Sequence, residues 1–157
     1  MRLTWRRILA SSAAIFLTAG TSLGLASEAN AAPLNFKVGT HVSHSYVFES
    51  SSGKIFCTLA QTEIPDALMC YRKDRNATYV QSTKASGYFK LGQHTRLGGD
   101  GAIWRCQNNY ANSSGTGTWV ECKWATKVPA GYCAHVRIGH GQSDWYVLSK
   151  TSDLMCV

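Results

Sequence analysis

The stretch TWVECKW, residues 118–124, decides the fold. Taken alternately, Val120, Cys122 and Trp124 fall on one side, and Trp119, Glu121 and Lys123 fall on the other. A two-residue period that separates apolar from charged side chains marks a half-buried β-strand, not a helix. The pattern recurs on both sides of it. In AIWRCQ, residues 102–107, Trp104 and Cys106 share a face and Arg105 points the other way. In KIFCTL, residues 54–59, Ile55, Cys57 and Leu59 share a face. Further β-branched and aromatic runs occupy 42–48, 67–72, 78–80, 88–91, 132–138, 145–149 and 154–156. Turn formers stand between the runs: Ser51-Ser52-Gly53, Pro65-Asp66, Gly98-Gly99-Asp100-Gly101, Gly115-Thr116-Gly117 and Gly139-His140-Gly141. The pattern predicts an all-β fold, a small disulfide-stapled sandwich or barrel of short antiparallel strands.

The first 31 residues follow different rules. Arg2, Arg6 and Arg7 precede an apolar stretch from Ile8 to Leu25, which ends in Ala29-Asn30-Ala31. A cationic start, an apolar middle and a small-x-small end describe a secretory signal peptide. The expected organisation is therefore residues 1–31 as signal peptide and 32–157 as a single secreted β domain, extracellular and not membrane-spanning. No later apolar run approaches the ~20 residues of a spanning helix. The chain has 16 basic and 9 acidic residues; taking away three arginines and Glu28 with the leader lowers the net charge from +7 to +5.

Cys57, Cys70, Cys106, Cys122, Cys133 and Cys156 all lie beyond the leader. An even number of cysteines in a small exported chain predicts disulfides. No C-x-x-C pair is present to hold a structural zinc, so no metal and no cofactor are expected. Each successive pair brackets a polar, turn-rich segment. The spacing therefore favours Cys57–Cys70, Cys106–Cys122 and Cys133–Cys156, each as a staple across a hairpin.

FESSSGKIFC, residues 48–57, superficially suggests a phosphate-binding loop. However, Phe48 stands where such a loop needs its first glycine, Ile55 stands where it needs a hydroxyl, and a β-rich run follows in place of a helix. A hairpin turn with Gly53 at positive φ is expected instead. Phe48, Ser50, Ser52, Gly53, Ile55, Cys57 and the later Cys70 form an F-x-S-x-S-G-x-I-x-C motif with a second cysteine. Over residues 48–70 it resembles a family of small secreted, Cys-rich actinobacterial proteins. Ser51 replaces the proline and Lys54 the asparagine of that pattern. The resemblance implies an exported β-rich protein with this segment disulfide-stapled, and it carries over no catalytic residue.

Charge is unevenly distributed. Residues 71–99 carry Arg72, Lys73, Arg75, Lys84, Lys90 and Arg96 against Asp74 alone, a net +5. Such a cluster attracts polyanions. Together with Trp119, which alternates outward beside Glu121 and Lys123, these residues predict a non-catalytic binding module. Its partner would be an anionic polymer at the envelope or outside the cell (a wall polymer, an acidic glycan or nucleic acid) or another secreted protein. Basic edge strands that deter sheet-to-sheet association account for the same charges without a ligand. A small secreted ribonuclease-like phosphodiesterase is the alternative, with Glu121, His135, Arg137 and His140 supplying its acid–base and phosphate-holding groups if Glu121 and His135 lie on adjacent strands. A secreted inhibitor of a hydrolase or protease is a second alternative. His41 and His44, three apart, would face opposite ways on a strand. Ser143 lacks the G-x-S-x-G setting of a nucleophile.

Overall fold

Two β-sheets face each other in the computed structural model, which describes residues 31–58, 63–84, 86–112, 117–126, 131–150 and 152–156. Of the expected leader, residues 1–31, all but Ala31 lie outside the described residues, as does Leu59. The strands are β1 (Leu34–Val38), β2 (Thr40–Val42), β3 (Ile55–Cys57), β4 (Ala67–Arg72), β5 (Ala77–Ser82), β6 (Phe89–Arg96), β7 (Ile103–Asn108), β8 (Thr118–Lys123), β9 (Cys133–Gln142), β10 (Trp145–Leu148) and β11 (Asp153–Cys156). One short helix, α1 (His44–Phe48), follows β2.

The six-stranded sheet runs β1-β7-β6-β9-β10, with β11 also paired to β9. The ten-residue β9 is long enough to hold two short partners along one edge: β11 against its first half and β10 against its second. The five-stranded sheet runs β2-β8-β5-β4-β3. Pairing is antiparallel except where β1 lies parallel to β7. The architecture is thus a disulfide-stapled sandwich, as the alternation predicts.

The sheets meet through one face each. Met69, Tyr71, Val80, Val120 and Cys122 from one sheet pack on Trp104, Cys106, Ala134, Val136, Ile138 and Met155 from the other. The sheets approach closely at Gly92, where an added Cβ would sit 2.8 Å from both Met69 and Val80. His94 is fully buried in the same core. Its ring stacks on Trp104 at 5.2 Å, and its nitrogens bond Thr78 (3.2 Å) and Tyr132 (3.0 Å). Desolvation there lowers its pKa to about 3, so the ring is neutral in the folded protein.

All three cysteine pairs form as predicted, but they do not all staple hairpins. Cys57–Cys70 and Cys133–Cys156 join directly opposed residues of neighbouring strands, with Cα atoms 4.0 and 4.1 Å apart. Cys106–Cys122 instead joins β7 to β8, which belong to different sheets, and so ties the sandwich together through its core.

Three other expectations are corrected. Residues 42–48 are not one strand, because Ser43 ends β2 and caps α1, its hydroxyl accepting from the Tyr46 N–H at 3.1 Å. The turn at Ser51-Ser52-Gly53 forms, with Gly53 at φ +66 and the Lys54 N–H bonded to the Ser51 carbonyl, but it joins α1 to β3 and closes no hairpin. Gly139-His140-Gly141 is not a turn either. It lies inside β9, and the chain reverses at Ser143-Asp144.

Candidate binding face

The residues of the expected basic surface are dispersed, and two of the cations are interior. Arg72 is 1% exposed. Its Nε and Nη2 donate to the two Asp74 oxygens at 3.0 and 2.6 Å, and Nη1 donates to the Val47 and Glu49 carbonyls. The hydrogen bond from Arg72 holds the Asp74 carboxyl below the usual range. Lys90 is likewise buried and donates to Asp66 at 2.6 Å and Ser86 at 2.9 Å. Burial pushes the Asp66 carboxyl up, but the hydrogen bond and charge of Lys90 outweigh it and bring the group below normal. Arg75 lies on the Tyr46 ring at 4.0 Å and pairs with Glu49. Arg96 pairs with Asp100 at 3.7 Å. Lys73 and Lys84 are exposed, but the six-residue β5 lies between them, so they sit about 20 Å apart at opposite ends of the sheet. These six cations therefore form no continuous basic patch. Isolated charges cannot stay buried unpaired, so those that entered the fold took carboxylate and carbonyl partners.

Trp119 corrects the sequence expectation in a different way. It does point away from the sandwich core, but a second layer covers that side. Val47, Phe48 and Tyr46 of α1 pack with Val42, Ile55 and Leu68 over Trp119, Tyr79, Ala77 and Cys70. Trp119 is only 3% exposed, with Phe48 edge-on at 5.6 Å. Arg72 and Arg75 clamp this layer by holding the carbonyls of Val47, Glu49 and Tyr46. The middle basic segment thus fastens the cover of the five-stranded sheet.

The proposed acid–base residues do not converge. Glu121 lies on β8, under the same cover, where its Oε1 accepts from Tyr79 at 2.6 Å and Tyr46 at 3.3 Å. His135 and His140 lie on β9 of the other sheet. Being five residues apart, they face opposite sides of it: His135 bonds Ser152, and His140 stacks on Tyr88. His41 and His44 are also apart, one beside Tyr110 and the other against Phe48 and Trp119. Among the described residues, no group of His, Cys, Asp or Glu is arranged to hold a metal ion.

The outer face of the six-stranded sheet is different: Leu91 and Gln93 are buried, but Phe36, Trp145 and Tyr146 stay exposed. A cross-strand row runs Arg137 (β9), Gln93 (β6), Arg105 (β7), Phe36 (β1), each residue opposite the next in register. Gln93 is buried beneath Arg105, and its side-chain oxygen accepts from Arg105 Nε and Nη2 at 3.0 and 2.7 Å. That leaves the guanidinium held by a neutral amide. Among the described residues, neither Arg105 nor Arg137 pairs with a carboxylate. Arg105 reaches over the sheet to the ring of Tyr146 on β10, 4.4 Å from its centroid.

Between them lies a groove of about 510 Å³, lined by Phe36, Phe89, Leu91, Arg105, Gln107, Asn109, Gln142, Ser143, Asp144, Trp145 and Tyr146. Gly141 permits its shape: a Cβ there would stand 2.7 Å from the Phe89 ring and 2.3 Å from the Trp145 carbonyl. The exposed aromatic and aliphatic side chains collect on and around this face. Phe36 is 49% exposed, Tyr146 47% and Trp145 41%, with Leu34 and Val38 also open on β1. Sequence reasoning missed β1 and passed over Trp145. One available signal was WYV at 145–147, three apolar residues in a row, which suits an edge strand with no covered face.

No family model matches the chain, and neither a curated protein nor a solved structure shows significant similarity to it. Among the described residues, no helix is long and apolar enough to cross a membrane.

Proposed function

We propose that this protein is a secreted, non-catalytic binding module that engages an anionic polymer at the cell envelope or outside the cell through the outer face of its six-stranded sheet. One observation carries the reading. Arg105 is held rigid by Gln93 and Tyr146 at a groove, and among the described residues no carboxylate pairs with it. A guanidinium fixed by neutral partners keeps its charge and part of its donor fork for a ligand. Arg137, two strands or about 9.5 Å away on the same face, adds a second positive charge. The three disulfides and the leader pattern support export, since such bonds persist in oxidising compartments.

The experiment is retention on an anionic-polymer matrix as salt is raised. The double variant Arg105→Gln/Arg137→Gln is expected to elute at markedly lower salt than the parent. Lys73→Gln/Lys84→Gln, which removes the same charge elsewhere, is expected to elute close to the parent. Equal losses for the two would reduce the interaction to net charge and overturn the reading.

A further inference from the structure

We infer that the polymer is a polysaccharide bearing sparsely spaced carboxylates, its chain crossing the strands with one carboxylate on Arg105 and sugar rings against Tyr146 and Phe36. The inference rests on the binding-face reading and adds the ligand's chemistry to it.

Three observations separate a carboxylated glycan from the denser polyanions. The first is charge density. The groove holds one guanidinium, Arg105, and one carboxylate, Asp144. A strand with a phosphate on every unit would bring repeated negative charge against Asp144 with a single cation to offset it. A chain with occasional carboxylates and many hydroxyls meets no such repulsion, and Asp144 can accept from its hydroxyls. The second is the polar lining. Gln107, Asn109, Gln142 and Ser143 are neutral groups that both donate and accept. Sugar hydroxyls also do both, whereas phosphate oxygens only accept. The third is the exposed rings. Phe36 and Tyr146 stand half open beside the polar groups, and ring faces of this kind stack on the C–H faces of sugars. With Nε and Nη2 turned to Gln93, Arg105 retains Nη1 for the carboxylate.

The test uses the full secreted chain and measures its affinity for hyaluronate, in which only every second sugar carries a carboxylate, for the same polymer fully methyl-esterified, and for poly(dT). Hyaluronate is expected to bind, and esterification is expected to weaken binding at least about tenfold, since it removes the group Arg105 would hold. Arg105→Gln should cost about tenfold on the acid form and little on the ester. Tyr146→Ala should weaken both forms several-fold without changing the salt dependence of the acid form. Unchanged thermal unfolding of each variant assigns its loss to the face and not to the fold. Equal affinity for acid and ester would overturn the inference. Tighter binding of poly(dT) than of hyaluronate, lost in Arg105→Gln, would also overturn it while leaving the binding-face reading intact. Binding to none of the anionic polymers would overturn both.

Discussion

The two outer faces of the sandwich make opposite use of the same residue types. On the five-stranded sheet, arginines and aromatics are closed in: Arg72 and Arg75 anchor α1, and Trp119 and Tyr79 lie beneath it. On the six-stranded sheet, Arg137, Phe36 and Tyr146 are exposed and Arg105 is half-buried at the groove. The chemistry of a side chain therefore does not mark a site. What distinguishes the faces is whether each charge already has a carboxylate. Arg72 has Asp74 and Arg75 has Glu49, while among the described residues Arg105 is held by the neutral Gln93 and Tyr146.

Substitutions should separate the two faces, first of all by stability. Arg72→Met is expected to destabilise the protein by about 3 kcal/mol, because it strips Asp74 and two backbone carbonyls of their partner. Urea unfolding measures the loss, and faster amide exchange across residues 43–50 would locate it in the cover. Arg105→Gln should cost no more than about 1 kcal/mol, because Arg105 is half-buried and its loss orphans only the neutral Gln93 amide, to which the new Gln can still donate. Similar losses at both arginines would erase the contrast.

Removing the link between the sheets comes next. Cys106→Ser/Cys122→Ser closes no loop in the unfolded chain and should cost about 3 kcal/mol on the loop-entropy argument. Both residues are core-facing, so the two buried hydroxyls add to that cost.

Acid should weaken the core that the two faces share. His94 titrates at about 3 when folded and near 6.5 when unfolded. Between those values the unfolded chain takes up a proton that the native one does not. Stability is therefore complete above pH ~6.5 and falls as pH drops, by up to about 1.4 kcal/mol per pH unit. Asp66 and Asp74, whose carboxyls are held low, add their own losses only below pH ~4. Urea midpoints between pH 6.5 and 4.5 should therefore report chiefly on His94, and His94→Gln should flatten that slope. A slope that survives the substitution would place its origin elsewhere.

The smallest effect is expected at Trp119, whose buried indole N–H finds no acceptor among the described residues. Trp119→Phe removes an unsatisfied donor as well as ring volume. These oppose each other, and the change should fall within about 1 kcal/mol. A loss of several kcal/mol would show that the indole N–H is in fact bonded.

The sequence made the sandwich legible wherever alternation and burial agree, as at Val120-Cys122 and Trp104-Cys106. It was silent on β1 for a physical reason. LNFKV alternates cleanly, but its apolar set, Leu34, Phe36 and Val38, faces solvent, while Lys37 turns back over Trp124 at 5.7 Å. Alternation identifies two faces and does not say which is covered. The fates of Arg72 and Lys90 were hidden for a related reason: their partners include backbone at Val47 and a carboxylate at Asp66, each more than twenty residues distant. Clustered charge along the chain became dispersed charge in space. The open groove could not be anticipated, since Arg105, Gln93 and Tyr146 lie on strands that only the sheet order brings together.

The cysteine pairing has a consequence for how the molecule matures. Bonds one to two, three to four and five to six mean that the native mate of each odd-numbered thiol is always the next to emerge. A polypeptide threaded from its amino end past an oxidant would acquire its correct cross-links in order of arrival, leaving little for an isomerase to repair.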